Sequence, residues 1–517
     1  MATDTSTNGP DKEKARDAAQ LDGRLFRRIL SFLLPYKGWV ALAFVLVVAV
    51  AFLGPLQPKL VQVAIDEYVV EGDYEGLLKI VGYLVLVLVA QGVLGFASAY
   101  LTQWIGQHAI YDLRTQVFRH IQKQPLGYFD RTPIGKLITR ATSDIEALAD
   151  LLSAGVVTIL GDLFRLVFIA YFMFSLDWEL ALVAMTAVPA MFWATMKFRE
   201  KVRDAFRDTR KQVARLNAFL QEHVTGMQVV QIFNREREEL RRFEGINDEH
   251  RQAQIRAIFY FALFWPAVDI IASVGLGLVL WYGGTEAMRD ALTVGVLIAF
   301  IQYVRQFFEP IRNLSDQYNM LQSAMAASER VFEVLDHDAA LAEPARPRSL
   351  SGCAGRIEFR NVWFAYGDLP DSDEPNWVLR DVSFTVEPGA TAALVGATGS
   401  GKTTIINLLL RFYEVQRGEI RVDGVPIKAL SLDALRSHIG LVLQDVFLFS
   451  GSLAENITLG DPAKNLDDVE RAIDLVGADR FIDRLPDGLD HEIGERGVTL
   501  SHGQRQLVSF IRALVYD

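Results

Sequence analysis

The sequence predicts two architectures in series: an all-α membrane domain of six spanning helices, then an α/β domain built on a phosphate-binding loop. Three observations predict it. Hydrophobic residues make up 51% of the 517, and mean hydropathy is +0.19, more apolar than one soluble fold requires. Six long apolar runs, at 38–62, 77–104, 155–176, 178–198, 257–283 and 291–313, crowd the first part of the chain. Finally, Gly396-Ala397-Thr398-Gly399-Ser400-Gly401-Lys402-Thr403-Thr404 reads G-x-x-x-x-G-K-T. It follows an apolar strand-like run, Ala392–Val395, and opens a helical run from Ile405, which is the context that motif requires.

The elements justify themselves in order. Residues 1–20 are polar, lack an apolar core and carry acid as well as base, so they read as a cytoplasmic tail without fixed structure and not as a targeting segment. From Leu21 to Tyr36, Leu25, Phe26, Ile29, Phe32 and Leu33 recur at helical spacing with Arg24, Arg27 and Arg28 between them. Such a helix lies in the membrane interface, or else it simply begins the first span. Both readings stay open. The helical domain is expected over 37–330, each apolar run being long enough to cross about 30 Å of hydrocarbon.

Loop charge sets the orientation. The short connections at 66–76 and 175–179 are acidic or nearly neutral, whereas 105–154 and 197–256 are rich in Lys and Arg, among them Arg199, Lys201, Arg203, Arg207, Arg210 and Lys211. The positive-inside rule puts the long connections and both termini in the cytoplasm. Helical periodicity runs through both, so each is expected to extend its helices and to break at one turn, Tyr128–Gly135 in the first and Glu222–Gly226 in the second. Residues 331–355 lose periodicity and gather Pro, Ala and Asp, which reads as a linker. The α/β domain occupies 356–517.

Five charges fall within the apolar runs: Asp162, Arg165, Asp269, Arg305 and Glu309. Charge at such depth must be paired or wetted. It forms either the polar wall of a cavity or ion pairs that lock helices together. The net charge of −11 and the lack of a basic block argue against nucleic-acid partners. A single cysteine, Cys353, excludes an intramolecular disulfide and a thiolate metal cluster.

The phosphate loop dictates its own chemistry. Glycines let backbone N–H groups close around a polyphosphate, and the helix that follows directs its positive end at the same charge. Lys402 reaches the terminal phosphates and the Thr403 hydroxyl ligates Mg²⁺. An aromatic, Tyr366, lies thirty residues upstream in Val362-Trp363-Phe364-Ala365-Tyr366, where a base could stack.

Further motifs follow in fixed order: Val442-Leu443-Gln444-Asp445, Glu455-Asn456-Ile457, Leu485-Pro486-Asp487-Gly488, Glu492-Ile493-Gly494-Glu495-Arg496-Gly497 and Leu500-Ser501-His502-Gly503-Gln504-Arg505-Gln506. From about Leu21 onward the set resembles the ATP-binding cassette (ABC) transporters of the exporter type, in which membrane and nucleotide-binding domains are fused in this order. The resemblance implies an ATP-driven exporter of a small molecule, lipid or peptide, working by alternating access. The alternative on the same scaffold is an ATP-gated channel or regulatory membrane protein.

The resemblance also implies site roles. Tyr366 stacks adenine. Gly396, Thr398, Gly399, Ser400, Gly401, Lys402, Thr403 and Thr404 form the Walker A loop for ATP. Thr403 and Gln444 hold Mg²⁺, and Gln444 links nucleotide to membrane helices. Residues Glu492 to Gly497 touch the cytoplasmic turns. Ser501, Gly503 and Gln504 form the signature that caps ATP on a second half-transporter. A multi-pass protein of the plasma membrane, the inner membrane in a bacterium, is implied.

Two departures qualify this. His502 stands where the signature usually has glycine, and Leu507 where it usually has a basic residue. In this family such changes mark one half of a heterodimer with unequal ATP sites, the expectation favoured here over a homodimer. The chain also stops at Asp517, before the Walker B strand, its carboxylates and the switch histidine. The α/β domain is therefore expected to be C-terminally incomplete, with no catalytic residue visible, and the chain as written to bind without hydrolysing ATP.

Overall fold

The computed structural model describes residues 23–337, 341, 343–350, 352–367 and 376–516. The tail 1–20, Leu21, part of the linker and Asp517 lie outside the described residues. Two compact units result: 23–120 with 135–337, and 121–134 with the residues from 341 onward.

The first unit is helical throughout. Its chain begins with α1 (Gly23–Ser31) and a 3₁₀ turn at Leu34–Tyr36. Next come α2 (Lys37–Val63) and α3 (Tyr74–Gln122). At 49 residues, α3 is about 74 Å long. The short helix α4 (Leu126–Arg131) belongs to the second unit. The chain returns through α5 (Ile134–Thr139), α6 (Ile145–Asp150) and α7 (Val156–Leu176), with wide π turns at Arg140–Asp144 and Leu151–Gly155. After these lie α8 (Trp178–Met185), α9 (Ala187–Thr225), α10 (Met227–Ile232), α11 (Glu236–Met288) and α12 (Val294–Leu335).

Helix ends are set by local chemistry. The Asp177 carboxylate accepts the Leu180 N–H at 2.7 Å and starts α8, a standard N-cap. Thr293 caps α12, and Asp66 reaches over from the end of α2 to accept from the Thr293 hydroxyl at 2.6 Å and the Gly295 N–H at 2.8 Å. In the core Ile169, Phe172, Met173, Leu180, Met191, Val268, Phe300, Tyr303 and Phe308 pack together. The buried Tyr303 hydroxyl donates to the Pro55 carbonyl at 2.8 Å, which keeps a polar group satisfied in the apolar interior.

Among the described residues, five helical stretches are long and apolar enough to cross a membrane: Leu34–Val69, Tyr74–Gln122, Ile134–Leu176, Trp178–Thr225 and Glu236–Met288. The sixth expected run is helical too, as α12, but Arg305, Gln306 and Glu309 interrupt it and lower its hydropathy. Arg28 makes a two-pronged bond to Asp336 at the end of α12, both contacts 2.6 Å, and lies 4.1 Å over the Phe332 ring. The segment is thereby held to protein.

The second unit carries β1 (Ile357–Phe364), β2 (Leu379–Val386), α13 (Lys402–Leu409), β3 (Arg417–Val422) and β4 (Val425–Pro426). The four strands pair antiparallel in the order β2-β1-β3-β4, with Ile357 opposite both Val386 and Val422. Phe359 stacks on Phe384 across β1 and β2 at 4.6 Å. In the turn between β3 and β4, Asp423 accepts the N–H groups of Ala354, Gly355 and Arg356 at 2.8, 3.3 and 2.8 Å.

Beyond it lie α14 (Leu432–Arg436), β5 (Gly451–Ser452), α15 (Leu453–Thr458), α16 (Leu466–Val476), α17 (Asp479–Ile482), β6 (Glu492–Ile493) and α18 (His502–Val515). The apolar run Ala392–Val395, expected as a strand, forms no ladder, and Val395 is 92% exposed. A strand exists through its hydrogen-bonded neighbour, and among the described residues this run has none.

Candidate functional site

Glycine makes the phosphate loop possible at two positions. Gly399 and Gly401 have φ of +83° and +88°, left-handed values that strain any residue with a Cβ. A Cβ on Gly401 would also stand 2.7 Å from Leu379 Cδ2 on β2. The Ser400 N–H donates to the Ala397 carbonyl at 3.2 Å and closes the turn, after which α13 begins at Lys402. The Lys402 ammonium donates to the loop's own carbonyls, Gly396 at 2.9 Å and Ala397 at 2.8 Å. Thr403 is exposed at the helix start, whereas Thr404 is buried.

Tyr366 closes one side. Its hydroxyl shares a 3.0 Å hydrogen bond with the Thr404 hydroxyl, and its ring stands edge-to-face with Phe364 at 4.9 Å and Tyr413 at 5.2 Å. The ring remains 48% exposed, so one face is free to receive a flat partner. Gln416 fixes the turn that carries it: Gln416 Oε1 accepts the Ala365 N–H at 3.1 Å, and its Nε2 donates to the Ala365 carbonyl at 2.8 Å. Sequence reasoning missed both Gln416 and Tyr413. The only signal for either was its position just after the helix that the loop opens.

The chain after α13 is rigid. Arg411, 2% exposed, bonds Glu414 at 2.8 Å and the Leu430 carbonyl at 3.2 Å, while Arg436 donates to the Leu410 and Arg411 carbonyls. Tyr413 follows directly. Its hydroxyl donates to Asp130 on α4, and Gly127 on the same helix comes so close that a Cβ there would lie 3.3 Å from the Tyr413 ring. Burial first, and then the Asp130 hydrogen bond, push the Tyr413 hydroxyl well above the usual phenol range, so it stays a donor.

The other expected residues lie apart from the loop. Gln444 is exposed in an irregular stretch, and no hydrogen bond joins it to Thr403 among the described residues. Ser501 caps α18: its hydroxyl accepts the Gln504 N–H at 3.3 Å, and Gln504 Oε1 accepts the Ser501 N–H at 2.7 Å. This reciprocal box occupies the Gln504 side chain, while Gly503 and His502 are exposed and His502 Nε2 lies 3.2 Å from Gln506 Nε2. The phosphate loop and the signature rest on different cores. The loop helix packs with Phe359, Val362, Phe364, Leu408 and Ile420, and α18 packs with Leu448, Leu453, Ile457, Val469 and Ile473.

The arrangement fits a polyphosphate: N–H groups at a helix start, a lysine, and a turn whose glycines a Cβ would obstruct. It also fits Mg²⁺ carried by those phosphates. Among the described residues no cluster of three or more His, Cys, Asp or Glu could hold an ion alone.

The helical unit holds a cavity of about 400 Å³ bounded by α2, α3 and α7. Its polar lining includes Gln91, Thr102, Gln103, Ser153, Asp162 and Arg165. Arg165 pairs with Glu309 at 3.0 Å, and Gln317 donates to Asp162 at 2.9 Å. Asp162 and Arg165 thus both join helices and line a cavity, so the two readings of these charges stay open. Asp269 lines a separate, more open depression with Pro266 and Ser273.

Comparison with known proteins gives two family matches, the ABC transporter transmembrane region over residues 40–311 and the ABC transporter family over 379–517. An uncharacterized ABC transporter ATP-binding protein of Bacillus subtilis is 38% identical over 95% of this chain and 80% of its own length. The ATP-dependent lipid A-core flippase of Syntrophus aciditrophicus is 32% identical over 95% and 80%. A fatty acid ABC transporter ATP-binding/permease protein of Mycobacterium bovis is 36% identical over 86% and 69%.

Proposed function

The chain belongs to the ABC transporters of the exporter type, a multi-pass membrane protein with a fused cassette domain, and from that premise we propose that it exports an amphipathic substrate across the plasma membrane. The observation that carries the substrate class is the cavity among α2, α3 and α7. Its wall is apolar at Val47, Val50 and Ala51 and polar at Gln91, Asp162 and Arg165. Such a wall suits a molecule with a hydrocarbon body and a polar or charged head. Relatives that carry lipid A-core and fatty acid in their names point to the same class. The Lys- and Arg-rich extensions of α9 and α11 support cytoplasmic termini and a domain order of helical region, linker and cassette.

In this reading ATP lies with its adenine on Tyr366 and its phosphates in the loop from Gly396 to Thr404. Lys402 leaves the Gly396 and Ala397 carbonyls for the terminal phosphates. Thr403 and Gln444 would hold Mg²⁺, which supplies charge neutralisation of the phosphates. The signature Ser501, Gly503 and Gln504 would meet nucleotide bound on a second half-transporter. The separate cores of loop and signature support that dimeric arrangement, and His502 favours a partner of different sequence. Closure of the two cassettes around ATP would turn the helical domains from inward- to outward-facing.

The first test is retention of a labelled adenine nucleotide by the purified protein in detergent. Lys402→Ala should lose at least about tenfold in affinity, a change of about 1.4 kcal/mol, with the protein still folded by circular dichroism. Unchanged retention would overturn the site. Reconstituted into vesicles, a half-transporter that joins this chain to a Walker B strand and its carboxylates should move a fluorescent lipid or fatty acid uphill in proportion to ATP used. Downhill movement without stoichiometric ATP use would instead support a gated channel.

A further inference from the structure

The second unit joins the base platform to the cytoplasmic turn through a short run of contacts. Thr404, on the loop helix, bonds the Tyr366 hydroxyl at 3.0 Å. The Tyr366 ring meets Tyr413 at 5.2 Å and 89°, and the Tyr413 hydroxyl holds Asp130 on α4. Phe364 packs against both tyrosine rings, at 4.9 and 5.7 Å. From its anchored position after α13, Tyr413 has little freedom, because Arg411 and Arg436 fix the preceding turn. On the other side, Gly127 brings α4 close to the ring, where an added Cβ would make a tight contact of 3.3 Å. The chain enters α4 from the 49-residue helix α3 and leaves it through the short helix α5.

We propose that Tyr413 is a positioning residue that reports occupancy of the base platform, as distinct from the phosphate loop, to the cytoplasmic helix α4. The proposal rests on the nucleotide reading above. A base stacked on Tyr366 must reorient or immobilise that ring. An edge-to-face pair is sensitive to such a change, and Tyr413 is tied by its hydroxyl to α4, so it passes the change to Asp130. Phosphates alone engage the loop and Lys402 and leave the aromatic run unloaded. Adenine is then more than a handle for affinity, since it sets the state of the turn through which the helical domain is driven.

The test uses the full chain in detergent or nanodiscs and follows hydrogen–deuterium exchange of the α4 amides, Leu126 to Arg131. Three conditions are compared: Mg²⁺ alone, Mg²⁺ with a non-hydrolysable ATP analogue, and Mg²⁺ with inorganic tripolyphosphate. The analogue should slow α4 exchange about fivefold, within the range of ordinary site-to-site coupling, and tripolyphosphate at saturation should not. Tyr413→Phe keeps the ring and should keep analogue affinity, yet lose the slowing. Asp130→Ala should lose it too, whereas Asp130→Asn, which retains an acceptor oxygen, should restore most of it. Equal slowing by tripolyphosphate, or full slowing in Tyr413→Phe with the analogue bound, overturns this proposal alone. Failure of the wild-type chain to bind the analogue overturns the nucleotide reading and this proposal with it.

Discussion

Asp423 shows how one side chain can organise the entry to a domain. It sits at a left-handed φ of 47° and gathers the N–H groups of three successive residues, Ala354 to Arg356. Burial pushes its carboxyl up. The donors at Arg356, Gly355 and Ala354, with the Cys353 thiol, outweigh that and leave it below the usual carboxylate range. A depressed folded-state value contributes stability above the unfolded value of about 3.9 and loses it as pH falls through the folded one. Thermal unfolding of the cassette should therefore lose a cooperative contribution below about pH 4, and Asp423→Ala should remove that dependence. At pH 7 the same variant should cost about 1–2 kcal/mol. Asp423→Asn, tolerated at positive φ, should lose the pH dependence and keep part of the stability. Unfolding midpoints across pH 3–7 check all three outcomes.

At the scale of elements, α3 has the least company. Only 6% of its most apolar stretch is buried, and apart from Gly76 and Ile80 its buried residues begin at Ser98. Gly106 makes one close approach, where an added Cβ would lie 2.4 Å from Ser153 Cβ and 2.7 Å from its Cα. Small residues permit such approach between membrane helices. Gly106→Val should force α3 away from the π turn at Leu151–Gly155 and cost about 1–3 kcal/mol, read as a lower Tm in detergent, while Gly92→Val, which meets nothing within 4 Å, should not. The spans were legible from the sequence because about 20 apolar residues admit few other readings. The turns were less so. The break at 222–226 was read from Gly226, but its far end at Asn234, with φ of 49°, was not, although Asn is a known left-handed residue. Ala392–Val395 looked like a strand because hydrophobicity is local whereas pairing is not. Tyr413 was hidden for the same reason: in Leu409-Leu410-Arg411-Phe412-Tyr413 it reads as core, and only the return of residues 121–134 to the cassette gives it a partner.

For the whole molecule, the membrane charges and the signature each set a prediction. Asp162 both accepts from Gln317 and lines the cavity, so Asp162→Asn keeps a hydrogen-bonding group while removing charge. Transport of a cationic or zwitterionic lipid should fall at least about fivefold, about 1 kcal/mol of discrimination, with Tm and basal ATP turnover unchanged. A joint fall of Tm and both activities would instead mark a locking role. If His502 marks one member of an unlike pair, ATP turnover should be low for this polypeptide alone and rise on co-purification with a second half-transporter; full turnover alone would favour two identical copies.

The two bonds from Lys402 to Gly396 and Ala397 bear on timing. An ammonium group that already has acceptors within its own cradle needs no solvent shell rebuilt around it when phosphate departs. On the nucleotide reading proposed above, entry of the nucleotide would be an exchange of partners on a preorganised frame, and the lysine would return to those carbonyls once the phosphates leave. On that reading, two carbonyl oxygens would bear on how fast the site empties as well as on how tightly it holds.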